Sequence, residues 1–224
     1  MEKEKRRIKS YVLRSGRMSA AQGRSYDALF PRYGMAFRGG FLEYPKIFGN
    51  ANPVVIEIGF GMGTATAAIA QAHPERNYLA IEVHRPGIGR LLWEIERQGL
   101  ENIRIIEGDG VAVLEEMIPA DSAEGFHLFF PDPWPKKRHR KRRLVTRPFT
   151  NLLAEKLISS GYVYMVTDWR DYGEQALAEL TATPGLTNAY AGFAPVQPGR
   201  PETKFERKGL EKQHQMYELF FNRK

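Results

Sequence analysis

An acidic residue and three closely spaced glycines form the first candidate site in this sequence. Glu57 lies in an apolar run that leads into glycines at alternate positions, Gly59, Gly61 and Gly63. Glycines allow a sharp turn and let a ligand approach the backbone without meeting a Cβ atom. The spacing G-x-G-x-G differs from the G-x-G-x-x-G of dinucleotide sites, and a tight turn without a ligand would explain the glycines alone equally well.

Two more acids follow later apolar runs. Glu82 lies 19 residues after Gly63, where a carboxylate can accept hydrogen bonds from both hydroxyls of a ribose. Asp109 lies between two glycines and could accept a hydrogen bond from an adenine amino group, although for Asp109 taken alone an exposed strand-end carboxylate is the favoured interpretation. Together with Glu57 they favour a cationic nucleoside over an anionic dinucleotide. S-adenosylmethionine fits this pattern, because it carries a sulfonium and an ammonium group and no phosphate.

A second candidate site surrounds Asp132, within the segment Phe-Phe-Pro-Asp-Pro-Trp-Pro-Lys at residues 129–136. Prolines on both sides of Asp132 stiffen the backbone that carries this carboxylate. A fixed acid beside an aromatic ring suits a planar base, which can stack on the ring and hydrogen-bond to the acid. The segment therefore predicts a base-binding site at Asp132. The alternative is that the prolines only stiffen the loop after the strand and that Asp132 has no chemical role.

A dense run of cations follows this loop directly. Seven of the eight residues 136–143 are lysine or arginine, and the chain as a whole carries a net charge of +7. Residues 1–32 and 136–147 sum to +6 and +8, so the remainder of the chain is acidic. Such concentrated charge indicates a phosphate-bearing partner, whereas a solvated charge run is the alternative. We expect contacts to an RNA backbone from Lys137, Arg138, Arg140, Lys141, Arg142 and Arg143.

Alternating strand and helix patterns must position these residues. They predict a doubly wound, mostly parallel α/β sheet between residues 53 and about 180, with two terminal strands after residue 187 joined by a polar loop. Helices are predicted over residues 86–98, with proline in the first turn and Gly99 after the end, and over residues 150–158, closed by Gly161. Residues 1–30 are predicted to be a basic, partly helical arm on a domain of residues 31–224. Five buried strands are predicted at residues 54–58, 78–83, 103–106, 126–130 and 162–167.

Composition excludes several classes of site. The chain has no cysteine, which excludes thiolate metal sites and a cysteine nucleophile, and its five histidines lack metal-ligand spacing. We therefore expect no metal. The basic start at residues 1–9 is not followed by an apolar region, and no run reaches the 18 apolar residues of a membrane helix. A cytoplasmic protein, monomeric or homodimeric, is the expectation.

In combination these motifs resemble the bacterial tRNA (guanine-N7)-methyltransferase family, which modifies the guanine at position 46 in the variable loop of tRNA. The resemblance begins in the arm at residues 10–17 and extends to the C-terminus. It is carried by residues 57–63, Ile-Glu-Val-His at 81–84, Gly-Asp at 108–109, the proline-rich segment with its basic run, Thr-Asp-Trp at 167–169 and Thr-Lys-Phe-Glu at 203–206.

The resemblance implies a Rossmann-like class I methyltransferase fold, with a seven-stranded sheet and an antiparallel C-terminal strand. It also implies S-adenosylmethionine as methyl donor and tRNA as partner. The cofactor would be contacted by Glu57, Glu82, Asp109 and the glycines, with the catalytic Asp132 also near it. Substrate would be bound by Lys136, Asp168, Thr203, Lys204, Phe205 and Glu206.

Two positions depart from the family pattern, and three other functions remain open. Gly110 stands where alanine is expected, and Arg170 stands where the family often has an acid. The alternatives are a methyltransferase with another substrate, an NAD-dependent oxidoreductase that binds a ribose through Glu82, and an RNA-binding protein without catalysis. Binding of S-adenosylmethionine, of NAD or of neither separates these classes.

Overall fold

A computed structural model describes residues 8–12, 16–201, 206–207 and 215–224 of the chain. In the described residues one sheet has eight strands in the order β1-β4-β3-β2-β5-β6-β8-β7. Strands β1 to β6 pair in parallel, and β8 runs antiparallel to both of its neighbours. The strands are β1 Gly34–Ala36, β2 Val54–Ile58, β3 Asn77–Glu82, β4 Ile103–Glu107, β5 Ala123–Phe129, β6 Leu157–Thr167, β7 Leu186–Asn188 and β8 Tyr217–Arg223.

Helices connect the parallel strands and cover the sheet. Proline in the first turn and a left-handed glycine after the last residue delimit α4, as its sequence predicts. A 3-10 helix, Lys137–Arg142, carries most of the cation run. The α-helices are α1 Ala20–Tyr33, α2 Tyr44–Phe48, α3 Thr64–Ala72, α4 Arg85–Gln98, α5 Gly110–Glu116, α6 Arg147–Lys156 and α7 Arg170–Thr181.

The predicted fold class is confirmed, with one added strand and one shifted boundary. Strand β1 adds an eighth strand at the sheet edge, and its three residues are too few to show the alternating pattern of a strand in the sequence. The helix predicted over residues 150–158 was wrong at its end, because Leu157 is already extended and pairs with Ala123. Gly161 lies inside β6, beside an irregularity in its pairing with β5. A Cβ there would come within 2.9 Å of the Glu124 carbonyl oxygen, which explains the glycine.

Apolar cores lie on both faces of the sheet. All five residues of β2 and all six of β3 are buried, as in a parallel sheet covered by helices on both sides. One core joins the sheet to α5, α6 and α7, and the other joins it to α1, α3 and α4. No helix in the described part of the chain is long and apolar enough to span a membrane.

Helix α1 packs closely on α4. It begins with a capping box. The Ser19 side chain accepts a hydrogen bond from the Gln22 backbone N–H, and the Gln22 side chain accepts one from the Ser19 backbone N–H. The helix continues past residue 30 to Tyr33, which is buried. A Cβ at Gly89 of α4 would lie 2.5 Å from the Gln22 carbonyl oxygen, so this glycine permits the close approach of the two helices.

Candidate functional site

The carboxyl ends of the parallel strands bring the candidate acids to one edge of the sheet. Two adjoining cavities of about 300 and 280 Å³ open there, and both are lined by Gly59, Gly61 and Phe130. Glu57 lines the first cavity, whereas Glu82 and Asp132 line the second. Doubly wound folds bind ligands at this edge. The cleft therefore brings Glu57, Glu82, Asp132 and the glycines together, whereas Asp109 is not among its lining residues, although its two neighbouring glycines are.

The glycine loop has the conformation that only glycine adopts easily. Gly59, Gly61 and Gly63 have φ values of +77°, +60° and +68°. A Cβ at Gly59 or Gly61 would meet nothing within 4 Å, so both face open space in the cleft. A Cβ at Gly63 would instead lie 2.6 Å from the Leu91 Cβ, and this glycine serves the packing on α4.

Glu57 is a buried acid without a full set of partners. The residue is 3% exposed, and its Oε2 atom has no hydrogen-bond partner in the described structure. Burial raises the pKa of Glu57 to about 7, Thr66 acts in the opposite direction, and the nearby Glu82 raises the pKa further. A cation placed against this carboxylate would offset both the burial and the repulsion.

Glu82 connects two loops at the floor of the cleft. Its Oε2 accepts a hydrogen bond from the Gly61 backbone N–H at 2.9 Å. Its Oε1 accepts from the backbone N–H groups of Val83 and His84 at 2.7 and 3.1 Å. Glu82 thus holds the glycine loop in place, and the carboxylate can still accept from a ligand because its two oxygens offer about four lone-pair sites.

Asp109 is the N-cap of α5. Its side chain accepts hydrogen bonds from the backbone N–H groups of Val111 and Ala112. The adjacent Gly110 has a packing reason, because a Cβ there would lie 2.5 Å from the Ile58 Cγ2 atom. The absence of the expected alanine at this position therefore matches the isoleucine at the end of β2.

The residues of this cleft fit S-adenosylmethionine. The described residues that line the two cavities include three acids and no lysine or arginine. The buried Oε2 of Glu57 lacks a partner, and Gly59 and Gly61 leave the backbone open to a ligand. A cationic nucleoside without phosphates matches this combination of charge and shape.

The loop that carries Asp132 is held in an unusual conformation. Phe130 and Trp134, which flank the Pro-Asp-Pro sequence, have φ values of +52° and +43°, a region that bulky residues rarely adopt. The Trp134 Nε1 atom donates a hydrogen bond to the Ser10 carbonyl oxygen at 2.9 Å. Ser10 and Tyr11 also line the second cavity. Part of the predicted arm therefore lies against the cleft.

The cation run divides into an exposed part and a buried end. Lys136 to Arg138, Arg140 and Lys141 are exposed, consistent with access to phosphates, and Arg140 also pairs with Asp171 at 3.1 Å. Arg142 lies over the Trp134 ring. The expectation that Arg143 contacts RNA is contradicted, because its side chain is only 1% exposed and is bonded within the protein.

The remaining substrate candidates are placed unequally. Asp168 follows β6 at the same sheet edge and is half-buried, whereas Arg170 forms an exposed pair with Glu174 on α7. Both oxygens of Glu206 accept hydrogen bonds from the buried Arg200, at 2.5 and 2.7 Å. Thr203, Lys204 and Phe205 lie outside the described residues.

The sequence did not lead us to predict that the side chains of Arg143 and Arg200 are buried. Arg200 also bonds Tyr164 and Glu218, which anchors the segment before Glu206 to the sheet. Arg143 is the last cation before an apolar pair, Leu144 and Val145, and this position at the start of a buried stretch was the available signal. For Arg200 the sequence offered only a position close to the Thr-Lys-Phe-Glu motif.

Comparison with protein families and relatives gives consistent results. A family model described as "Putative methyltransferase" matches residues 51–219. A tRNA (guanine-N(7)-)-methyltransferase of Nitrosospira multiformis is 48% identical over 98% of this chain and 96% of its own length. Proteins of the same name from Nitrosomonas eutropha and Chromobacterium violaceum are 47% and 46% identical, and the matches cover 96% and 98% of this chain and 96% and 97% of theirs.

Solved structures share the fold at low sequence identity. The 16S rRNA methyltransferase KamB has a TM-score of 0.62 at 14% identity, with 82% of this chain and 94% of that chain covered. A SAM-dependent O-methyltransferase from Thermotoga maritima has a TM-score of 0.51 at 18% identity, with 82% and 67% covered. These likenesses show that the chain shares the Rossmann-like fold of these structures.

Proposed function

The chain belongs to the tRNA (guanine-N(7)-)-methyltransferase family, and from this membership we propose that it transfers a methyl group from S-adenosylmethionine to N7 of the guanine at position 46 of tRNA. Position 46, in the variable loop, rests on the resemblance of the sequence motifs. The roles of individual residues below are part of the same proposal.

One observation carries the proposal. Asp132 lines the acid-rich cleft, and the exposed 3-10 helix of cations begins only five residues later, at Lys137. A cation-binding cleft and an anion-binding surface therefore meet at a single loop. This arrangement suits a cationic methyl donor on one side and a nucleic acid on the other.

The cleft residues would hold the donor by charge and by backbone contacts. S-adenosylmethionine, when bound, supplies an electrophilic methyl group carried on a sulfonium. Glu57 would face a positive charge of the ligand, Glu82 would accept from the ribose hydroxyls, and Asp109 would accept from the adenine amino group. Gly59 and Gly61 leave the space that lets the ligand approach the loop.

The target atom requires little acid–base chemistry from the protein. Guanine N7 has an in-plane lone pair and carries no proton, so no base is needed to expose the nucleophile. Orientation of the base should dominate catalysis. Asp132 would accept hydrogen bonds from guanine N1–H and the N2 amino group, which selects guanine over adenine. Its negative charge would also stabilise the cation that develops on the purine.

The proposal is tested by methyl transfer from labelled S-adenosylmethionine to unmodified tRNA transcripts. One transcript carries guanine at position 46, and its matched control carries adenine there. Borohydride reduction and aniline cleavage locate N7-methylguanine in the product. We expect label in the first transcript only, with cleavage at position 46.

Other outcomes change the proposal in defined ways. Label that persists in the adenine transcript, with cleavage elsewhere, would keep the reaction and move the target. Transfer to ribosomal RNA but not to tRNA would contradict the proposed substrate. Failure to bind S-adenosylmethionine in a calorimetric titration would overturn the proposed reaction altogether.

A further inference from the structure

One buried guanidinium joins the two loops that carry the carboxylates of the site. The Arg143 Nε atom donates to the Pro133 carbonyl oxygen at 2.9 Å. One terminal nitrogen donates to the Gln175 side chain at 2.6 Å, and the other donates to an Asp171 carboxylate oxygen at 2.5 Å. The guanidinium also lies over the Tyr172 ring, with Cζ at 4.9 Å from its centroid.

These partners belong to opposite sides of the candidate site. Pro133 directly follows Asp132, in the loop after β5. Asp171 lies in the first turn of α7, three residues after Asp168 at the end of β6. Arg143 is therefore a physical connection between the loop of the expected catalytic acid and the segment of an expected substrate ligand.

The loop leaves the hydrogen-bond ladder of the sheet before it reaches Asp132. Its prolines have no N–H group to donate, and the last bond that continues the sheet joins the Phe130 N–H to the Val166 carbonyl oxygen at 2.8 Å. Beyond this point Phe130 and Trp134 hold a positive φ. Such conformations persist only where surrounding contacts fix them. A charged donor to the Pro133 carbonyl is a strong contact of this kind.

Lysine could not replace this arginine. A guanidinium presents a planar set of donors, and here that set reaches acceptors on the loop and on two residues of α7 at once. An ammonium is a single point with one nitrogen and would reach only part of this set. Replacement of Arg143 by lysine therefore keeps the charge and breaks the connection, so the two effects can be separated experimentally.

We propose that Arg143 is a positioning residue, which fixes Asp132 relative to Asp168 for methyl transfer and does not contact RNA phosphate. The inference rests on the proposed function for the role of the two carboxylates. Displacement of a reacting group by about 1 Å can cost about 10² in rate. Removal of the connection should therefore appear in kcat.

The experiment compares Arg143→Lys with Arg97→Lys, at an exposed arginine in the last turn of α4 that lines neither cavity. Both variants keep the net charge. We expect Arg143→Lys to lower kcat at saturating tRNA by about 10 to 10²-fold, with the affinity for S-adenosylmethionine and the salt dependence of tRNA binding unchanged. Hydrogen exchange of the non-proline amides within residues 130–136 should become faster in this variant. Arg97→Lys should leave kcat and exchange unchanged.

A second variant guards against a folding defect. Asp171→Asn removes only the charge of one partner, whose side chain is 43% exposed, and should lower kcat by a smaller factor. An Arg143→Lys protein with unchanged kcat and exchange would overturn the inference. So would one in which tRNA affinity falls, the salt slope is reduced and kcat is intact. Activity of the wild type on the position-46 transcripts is scored separately, so failure of the proposed target is distinguishable from failure of this inference.

Discussion

Replacing Glu57 with glutamine should stabilise the cofactor-free protein at neutral pH and weaken its binding of S-adenosylmethionine. Glu57 is 3% exposed, and burial raises its pKa from an ordinary value of 4.5 to about 7. Between these two values the folded chain holds a proton that the unfolded chain has released. The free energy of unfolding of the wild type therefore falls as the pH rises through this range.

The size of the effect follows from the two pKa values. The carboxyl group costs the folded state about 1 kcal/mol at pH 5 and about 3 kcal/mol at pH 8. Glutamine does not titrate, so the stability gained by the variant over the wild type should grow by about 2–3 kcal/mol between these pH values. For a chain of this size the gap in Tm should widen by roughly 5–10 °C. A constant cost of burying the amide cancels in this comparison.

Urea unfolding of the cofactor-free proteins, followed by circular dichroism at pH 5, 6, 7 and 8, measures this growth. Glu115→Gln, at an exposed acid on α5, is the matched control and should show no comparable trend. A stability difference for Glu57→Gln that stays constant with pH would refute the burial argument.

The same pair of proteins tests the role of Glu57 at the ligand. In the wild type, the affinity for S-adenosylmethionine should rise by up to about tenfold per pH unit between pH 5.5 and 6.5, because a cation favours the ionised carboxylate. In Glu57→Gln the affinity should be lower and independent of pH over this interval. Calorimetric titration gives both values. Equal affinity and equal pH dependence in the two proteins would contradict a contact between Glu57 and a cation.

Three further predictions concern other substitutions. Asp132→Asn should lower kcat for tRNA methylation by at least about 10², measured in transfer assays at saturating substrates, and near-normal kcat would contradict its role. Gly110→Ala should lower the free energy of unfolding by about 1–3 kcal/mol because of the close approach to Ile58; Gly23→Ala, at a helical position with no atom within 4 Å, should be neutral or slightly stabilising in the same urea experiment. Replacement of the exposed cations Lys137, Arg138 and Lys141 with glutamine should make the slope of the logarithm of the tRNA binding constant against the logarithm of the salt concentration shallower. We expect a change of roughly 0.7–0.9 for each phosphate that the variant no longer neutralises, measured by filter binding at several salt concentrations.

The cleft could be predicted from the sequence because its parts follow strand ends. Glu57, Glu82 and Asp109 each lie at or beside the end of an apolar run, and parallel strands bring such ends to one edge. Local chemistry also predicted α4, through its proline and its terminal glycine. These predictions needed only near neighbours in the chain.

The tertiary roles of individual side chains could not be predicted in this way. Arg143 differed from the other cations of its run only in the apolar pair that follows it, and its burial depends on Asp171 and Gln175, which lie 28 and 32 residues further on. The bond from Gly61 to Glu82 likewise joins two loops that are distant in sequence. Leu157 was assigned to a helix because the apolar pattern of α6 continues into β6 without a break.

Two kinds of unfavourable feature lie where the proposed ligands would bind. Glu57 is an acid in an apolar setting, and Phe130 and Trp134 hold backbone conformations that bulky side chains avoid. The sheet beneath them is packed with apolar side chains and contains no comparable backbone strain among the residues of β2 and β3. A cationic ligand would offset the cost at Glu57. The Asp132 loop is instead fixed from within by Arg143, so its geometry would already exist before RNA arrives. Within the cation run, the exposed side chains would then attract the polyanion, and the buried Arg143 would keep the Asp132 carboxylate in place.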